Sequence, residues 1–200
     1  MQELIERIRS EGVNLGGGIL KVDSLINHQL DPQLMAAMGK AIAKRFAGVQ
    51  IDRILTAEIS GIAPALMTGI EMDIPVVYAR KKKPITMAGP VYLETAPSHT
   101  KGGETLLLVS AEFLHADENV LIIDDFLASG RTLLALARIV KSAGANLVGV
   151  GVVVEKTFEG GRAAVQAQFD IPIHALATIT ALDGETITLL DTRQPRLELD

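Results

Sequence analysis

Two adjacent carboxylates at the end of an apolar run are the most chemically suggestive feature of this chain. Asp124 and Asp125 follow the aliphatic residues 120–123, a pattern that predicts a strand buried on both faces of a parallel sheet. In open α/β sheets the ligand binds beyond the carboxyl ends of the strands. Carboxylates there can accept hydrogen bonds from sugar hydroxyls. The pair therefore predicts a site for a hydroxylated ligand.

A short loop of small residues follows the two acids and leads into a predicted helix. The loop contains Ala128, Ser129 and Gly130, and Arg131 and Thr132 open the helix. Small side chains let a phosphate approach the backbone, and a helix start offers unpaired N–H groups and the positive end of the dipole. A buried strand with an ordinary helix cap would also contain Asp and Ser. The conjunction of acids, small loop and threonine hydroxyl favours a phosphate-and-sugar site.

A second predicted strand, 51–57, ends in a similar loop before a predicted helix at 62–71. Ser60 and Gly61 lie in this loop, on the same edge of the sheet as the two acids. The geometry predicts a second anion site at a helix start. A simple cap of the helix by Ser60 is the alternative interpretation.

Basic residues are concentrated at two places where they could meet an anion or a base. Arg80 and Lys81 begin a dense basic run, which opens a segment predicted to be irregular over 81–103. Such runs are usually solvated surface, but a long loop in a compact domain is more often functional. Lys156 follows the predicted strand 147–154, where its ammonium group could donate to a base carbonyl or form a surface ion pair.

The elements that must position these residues alternate between strand and helix patterns. We expect an α/β fold, doubly wound, with a mainly parallel sheet flanked by helices and a small N-terminal hood. An N-terminal amphipathic helix should end before Gly12, and Gly12 should adopt a left-handed conformation. A second helix should be capped by Asp31 and should end at Gly48. The remaining predicted helices cover 131–143 and 160–168, and the remaining predicted strands cover 75–80, 104–109, 119–124, 172–179 and 185–190.

Length and composition restrict the class of protein. The 200 residues, 48% of them hydrophobic, suit one domain, which we divide into N-terminal helices and hood (1–48), core (49–190) and tail (191–200). The chain has no cysteine and its four histidines are widely spaced, so any metal should be held mostly by oxygen. A formal net charge of −5 argues against nucleic acid as a partner. Without a long apolar run or signal-peptide pattern, a cytoplasmic location is expected.

Residues Val120 to Thr132 resemble the signature with which type I phosphoribosyltransferases bind 5-phosphoribosyl diphosphate (PRPP). The resemblance implies that Asp124 and Asp125 are the catalytic acids, which contact the ribose hydroxyls, and that the loop 128–132 holds the 5-phosphate. It further implies that Ser60 and Gly61 receive the pyrophosphate.

The same resemblance implies further partners. Arg80 and Lys81 would belong to a flexible basic loop that closes over the pyrophosphate. It implies Mg²⁺ as the cofactor, which would bind mainly through PRPP and which Asp124 and Asp125 would reach through water. Members of this family are generally homodimers.

The base would be recognised outside the PRPP signature. Residues 18–28 and 154–156 are similar to the corresponding segments of the xanthine-specific subfamily, which implies that Leu20, Asn27 and Lys156 contact the purine. The implied reaction of purine salvage transfers the phosphoribosyl group from PRPP to N9 of xanthine and gives XMP and pyrophosphate. The phosphate loop reads Ala-Ser-Gly where an Asn-Gly-Gln version is associated with the xanthine enzymes. Transfer to adenine, hypoxanthine or guanine therefore remains an alternative.

A protein of another class could carry the same signature. A regulator that senses PRPP without catalysis would need a DNA-binding segment. The fifty residues before the first predicted sheet strand contain no convincing helix-turn-helix with a basic recognition helix. The sequence therefore favours the enzyme over the regulator.

Overall fold

The computed structural model describes residues 1–97 and 104–190. The helices are α1 (Gln2–Glu11), α2 (Pro32–Arg45), α3 (Ile62–Met72), α4 (Arg131–Ser142) and α5 (Gly161–Gln166). The strands are β1 (Val13–Asn14), β2 (Leu20–Lys21), β3 (Arg53–Ala57), β4 (Val76–Ala79), β5 (Val91–Pro97), β6 (Glu104–Ser110), β7 (Asn119–Leu127), β8 (Asn146–Lys156), β9 (Ile173–Asp183) and β10 (Thr186–Leu189). None of the described helices has both the length and the apolar character needed to cross a bilayer.

Six strands form the central sheet in the order β10-β9-β8-β7-β3-β4. β4, β3, β7, β8 and β9 run parallel to one another, and β10 pairs antiparallel with β9. β7 and β8 are the two central strands, so the two acids lie towards the carboxyl end of the middle of the sheet. The α/β class and the mainly parallel sheet are confirmed.

The aliphatic run of β7 serves two cores, one on each face of the sheet. Leu121 and Ile123 pack in one core with α1, α2 and α3, whereas Val120 and Ile122 pack in the other with α4 and the β5–β6 hairpin. Successive side chains of a strand point to opposite faces, so a continuous apolar run is what this position requires. Helices cover both faces of the sheet, as expected.

Of the two expectations for the ends of the first helices, the cap by Asp31 is confirmed and the left-handed Gly12 is wrong. Asp31 caps α2 by accepting hydrogen bonds from the backbone N–H groups of Gln33 and Leu34 at 3.0 and 3.1 Å. Gly12, expected to be left-handed, has the extended conformation φ −70°, ψ 140°. A Cβ atom there would lie 2.4 Å from the carbonyl oxygen of Ile8. Close backbone approach, rather than a positive φ, explains this glycine.

The expectation that 81–103 is irregular was wrong for residues 91–97. These residues form β5, which pairs antiparallel with β6 in a separate two-stranded sheet. Pro90 precedes the strand and Pro97 is its last residue, and together with the neighbouring glycines these prolines concealed its β-branched and aromatic residues. Residues 98–103 and the predicted tail 191–200 lie outside the described residues.

In the hood (residues 1–48), a short hairpin and a helical turn connect α1 and α2. β1 and β2 pair antiparallel across three glycines, Gly16, Gly17 and Gly18, all with positive φ. A π-helical turn, Asp23–Asn27, follows and buries two aliphatic side chains. The glycine run is explained by the turn between β1 and β2, because glycine adopts positive φ values without steric cost. The domain division at residue 48 and the homodimer remain predictions.

Candidate active site

Both acids lie within β7, because the strand continues to Leu127, three residues beyond its predicted end at residue 124. Asp124 is only 6% exposed, and Asp125 is less deeply buried. The Oδ1 atom of each acid accepts a hydrogen bond from the backbone N–H of the next residue. The distance is 3.0 Å from Asp125 N to Asp124 Oδ1 and 2.9 Å from Phe126 N to Asp125 Oδ1. An ionised carboxylate has the capacity to accept several further hydrogen bonds.

Burial raises the pKa of the Asp124 carboxyl well above its usual range, and the neighbouring charge of Asp125 adds to this effect. The charge of Lys81 acts in the opposite direction. An ionised Asp124 is therefore costly without further partners. A ligand that brings hydroxyl donors or positive charge to this carboxylate would lower that cost.

A cavity of about 150 Å³ is enclosed by the loop that follows the acids. Gly130 has φ +76° and precedes α4, which has no side-chain cap. The first α4 hydrogen bond runs from the Leu134 N–H to the Gly130 carbonyl at 2.9 Å, so the preceding N–H groups have no intrahelical partner. The cavity can therefore accept an anion. Its lining includes all five predicted phosphate-loop residues, Ala128, Ser129, Gly130, Arg131 and Thr132.

A second cavity, of about 230 Å³, adjoins the acid pair. Asp124, Asp125 and Thr132 line both cavities. Its other lining residues come from the ends of β3 and β4 and from the β5–β6 hairpin: Ala57, Glu58, Ser60, Lys81, Ala96, Pro97, Thr105 and Leu107. The acid pair thus lies between a cavity at a helix start and a cavity that carries a lysine.

The β3–α3 loop contributes Ser60 to this second cavity. The residue before α3 is Gly61, and no side chain caps the helix, so Ser60 does not act as the cap. A Cβ atom at Gly61 would lie 2.7 Å from Oδ1 of Asp124 and 2.4 Å from Oγ1 of Thr56. Only glycine lets the loop pack this closely on the acid. The peptide bond between Glu58 and Ile59 is cis.

The structure separates the two predicted basic residues. Lys81 lines the cavity beside the acids, and its backbone N–H donates to Glu58 Oε1 at 2.6 Å. Arg80 has its Nε 3.6 Å from Glu58 Oε2 and its guanidinium 5.9 Å from the centroid of the Tyr78 ring. It lines a different cavity of about 360 Å³. Lys81, rather than Arg80, is placed at the acid pair.

The three residues predicted to bind the purine have different environments. Lys156 Nζ donates to the carbonyl oxygen of Gly18 at 2.6 Å and lies 5.4 Å from the Phe126 ring centroid, so it joins the hood to β8. Asn27 is exposed at the end of the π-helical turn. Leu20 is 6% exposed and packs in the core, which leaves its backbone as the part that could meet a ligand.

Two contributors to the site were missed in the sequence. Glu58 contacts both Arg80 and Lys81. Its position directly after the predicted strand 51–57 could have indicated that it lies at the site. The β5–β6 hairpin supplies one wall of the second cavity. Its apolar and β-branched run at 91–96 was the signal that the nearby prolines concealed.

Comparisons with known proteins agree with this geometry. Residues 27–163 match the phosphoribosyl transferase domain family. The chain is 53% identical over 190 residues to the xanthine phosphoribosyltransferase of Deinococcus deserti, covering 94% of this chain and 98% of that protein. It is 45% identical over 191 residues to the xanthine phosphoribosyltransferase of Listeria monocytogenes, covering 96% and 99%.

The fold is also similar to that of a solved structure, the adenine phosphoribosyltransferase of Thermoanaerobacter pseudethanolicus. The TM-score is 0.72 at 21% identity, with 88% of this chain and 98% of that chain covered. At this identity the similarity concerns the fold alone. The matching domain, the near full-length relatives and the fold together establish that this chain belongs to the phosphoribosyltransferase family.

Proposed function

We propose that the protein is a xanthine phosphoribosyltransferase, which transfers the phosphoribosyl group of PRPP to N9 of xanthine and gives XMP and pyrophosphate. One observation carries the proposal: Asp124 and Asp125 lie between two cavities that can both take anions. PRPP has the matching shape, a ribose between a 5-phosphate and a diphosphate. The names of the near full-length relatives support xanthine as the base.

In this proposal each cavity takes one end of PRPP. The loop 128–132 holds the 5-phosphate with backbone N–H groups at the start of α4. Ser60, Gly61 and Lys81 hold the diphosphate in the second cavity. Arg80 can join them only if its guanidinium leaves Glu58 and Tyr78.

The reaction breaks the bond from the anomeric carbon to the diphosphate and forms a bond from that carbon to N9, while the base gives up a proton. Positive charge develops on the ribose and negative charge on the leaving group. The residues act by positioning and by electrostatic stabilisation. Asp124 and Asp125 hold the ribose hydroxyls and oppose its positive charge, and Lys81 opposes the charge of the pyrophosphate.

The residues beside the second cavity fit Mg²⁺ only as part of a complex with the substrate. Within residues 1–97 and 104–190 no three acidic, histidine or cysteine side chains form a cluster that could hold a metal. Mg²⁺ prefers oxygen ligands and keeps several waters, so PRPP oxygens would be its main ligands, and Asp124 and Asp125 would reach it through water. When bound, the ion would neutralise and orient the diphosphate.

The activity is tested by incubating the purified protein with PRPP and Mg²⁺ and, separately, with xanthine, hypoxanthine, guanine or adenine. Nucleotide formation is followed by chromatography, with a control lacking PRPP. XMP formation with xanthine is the expected result. Formation of a different nucleotide would show that the enzyme prefers another base. Absence of product with every base would favour a PRPP-sensing regulator.

Lys81→Met is expected to raise the KM for PRPP roughly tenfold, the effect of losing one charge-assisted hydrogen bond of about 1.5 kcal/mol. The neighbouring Lys82 is exposed and lines neither cavity of the acid pair, so Lys82→Met is the matched control. Steady-state kinetics with PRPP varied at saturating xanthine measure the change. Equal KM values for the two variants would contradict the role of Lys81.

Lys156→Met is expected to raise the KM for xanthine roughly tenfold, because one hydrogen bond to the base and the tie to Gly18 are lost. The KM for PRPP should stay within about twofold, since Lys156 lines neither cavity of the acid pair. Lys40→Met, at an exposed position on α2, is the control. An increase in the KM for PRPP alone would contradict a contact between Lys156 and the base.

A further inference from the structure

An ion pair between a buried glutamate and a partly exposed arginine lies next to the phosphate loop and has no part in the mechanism above. Glu155, near the end of β8, is 3% exposed. Its carboxylate accepts two hydrogen bonds from the Arg162 guanidinium, Nε to Oε1 at 2.7 Å and Nη2 to Oε2 at 2.5 Å. Nη1 of the same guanidinium donates to the Ile173 carbonyl at 2.8 Å. Three donors of one planar group therefore fix the second residue of α5 to two neighbouring strands.

The residue before Arg162 is in direct contact with the phosphate loop. The Gly161 N–H donates to the Ala128 carbonyl at 3.0 Å. A Cβ atom on Gly161 would lie 2.2 Å from that carbonyl oxygen and 2.6 Å from the Gly130 nitrogen. Conversely, a Cβ atom on Gly130 would lie 2.8 Å from the Gly161 carbonyl oxygen. The loop and the start of α5 thus pack backbone against backbone, and the position of one sets the position of the other.

The end of β8 therefore supports both halves of the site. Adjacent strand residues point to opposite faces, so Glu155 reaches α5 while Lys156 reaches Gly18 in the hood. If the ion pair served stability alone, its loss would lower the melting temperature without favouring one ligand over another. If it positions the loop, its loss should weaken binding of the 5-phosphate in particular.

We propose that Arg162 is a positioning residue for the phosphate loop, acting through Gly161 and held in place by Glu155. The inference rests on the proposed function, because it assigns the loop 128–132 to the 5-phosphate of PRPP. Without Arg162 the start of α5 loses its three anchors, and the N–H groups around Gly130 lose their alignment. The second cavity has no contact with α5 in its lining and keeps its shape.

The test compares two ligands that each resemble one end of PRPP. Ribose 5-phosphate and pyrophosphate are titrated separately into the wild type, Arg162→Met and Arg162→Lys by calorimetry. Arg162→Met is expected to bind ribose 5-phosphate roughly tenfold more weakly, the effect of losing about one charge-assisted hydrogen bond to the phosphate. Pyrophosphate binding should stay within about twofold. Arg162→Lys should fall between the two, because an ammonium keeps the charge without the planar fork.

In the transfer reaction the same variants should show a higher KM for PRPP and a kcat within about threefold of the wild type. Arg53→Met is the matched control, since it breaks another ion pair, with Glu118 at 2.5 Å, at the opposite end of the sheet. The double variant Arg162→Met, Glu155→Gln removes the unpaired buried carboxylate and so protects folding. It should retain the defect with ribose 5-phosphate.

Wild-type affinity for ribose 5-phosphate in Arg162→Met would overturn the inference, and so would an equal loss in Arg53→Met. Recovery of ribose 5-phosphate binding in the double variant would also overturn it, because the defect would then come from the stranded charge of Glu155. A wild-type protein that binds neither PRPP nor ribose 5-phosphate would instead refute the proposed function. The two failures are therefore distinguishable.

Discussion

Asp124→Asn is expected to lower kcat/KM for nucleotide formation by about 10²- to 10³-fold, the usual cost of removing one electrostatic contact to the transition state. Asparagine has the same shape as aspartate but carries no charge to oppose the positive ribose. Asp73→Asn, at an exposed position after α3, is the control and should keep wild-type activity. Near-normal turnover in Asp124→Asn would contradict the role assigned to this carboxylate.

The same variant should gain stability relative to the wild type as the pH rises above the ordinary pKa of a carboxyl group. Burial raises the pKa of Asp124 in the folded protein, so the folded state holds this proton more tightly than the unfolded state does. Stability of the wild type is therefore lost as the pH rises through the folded-state pKa. Asparagine does not titrate, and the gain in melting temperature of Asp124→Asn should be larger at pH 8 than at pH 5. Thermal unfolding of both proteins at these two pH values measures the difference.

Gly130→Ala is expected to lower kcat/KM for PRPP about 100-fold. The position has φ +76°, and a Cβ atom would lie 2.8 Å from the Gly161 carbonyl oxygen, so the backbone of the phosphate loop must move. A displacement of about 1 Å in a positioning group can cost this much. The loss should appear mainly as weaker PRPP binding, which initial rates at varied PRPP concentration measure.

Gly48→Ala separates the conformational cost of an alanine from the displacement of the loop. Gly48 has a similar φ of +82° beyond α2, and nothing lies within 4 Å of a Cβ atom there. An alanine in either left-handed position costs about 1–2 kcal/mol. Gly48→Ala should therefore lose stability while keeping the kinetics of the wild type. If both variants lost activity equally, the contact with Gly161 would not be what matters at Gly130.

The parts of the fold and site that the sequence predicted are those encoded by neighbouring residues. The apolar run of β7, the acids and the small loop before α4 are contiguous, so the acids and the loop were expected to line one cavity, and they do. The cap of α2 by Asp31 is also local. The alternation of strands and helices was sufficient for the α/β class because each parallel connection requires a crossover.

The parts that the sequence did not predict depend on contacts between distant residues. Arg80 and Lys81 both contact Glu58, more than twenty positions away, yet only Lys81 lines the cavity beside the acids. The extended form of Gly12 follows from a close approach to Ile8 rather than from the residue type. The hairpin strand was hidden because prolines and glycines at its ends outweighed its own residues, although pairing with β6 determines its conformation.

Direct competition between the four purines tests the central proposal most directly. Equal concentrations of xanthine, hypoxanthine, guanine and adenine are mixed with limiting PRPP, Mg²⁺ and enzyme, and the nucleotides are quantified by chromatography at low conversion. The product ratios equal the ratios of kcat/KM and so report discrimination in the transition state. XMP as the dominant, PRPP-dependent product is the predicted result. Dominance of IMP, GMP or AMP, or the absence of any nucleotide, would contradict the proposed function.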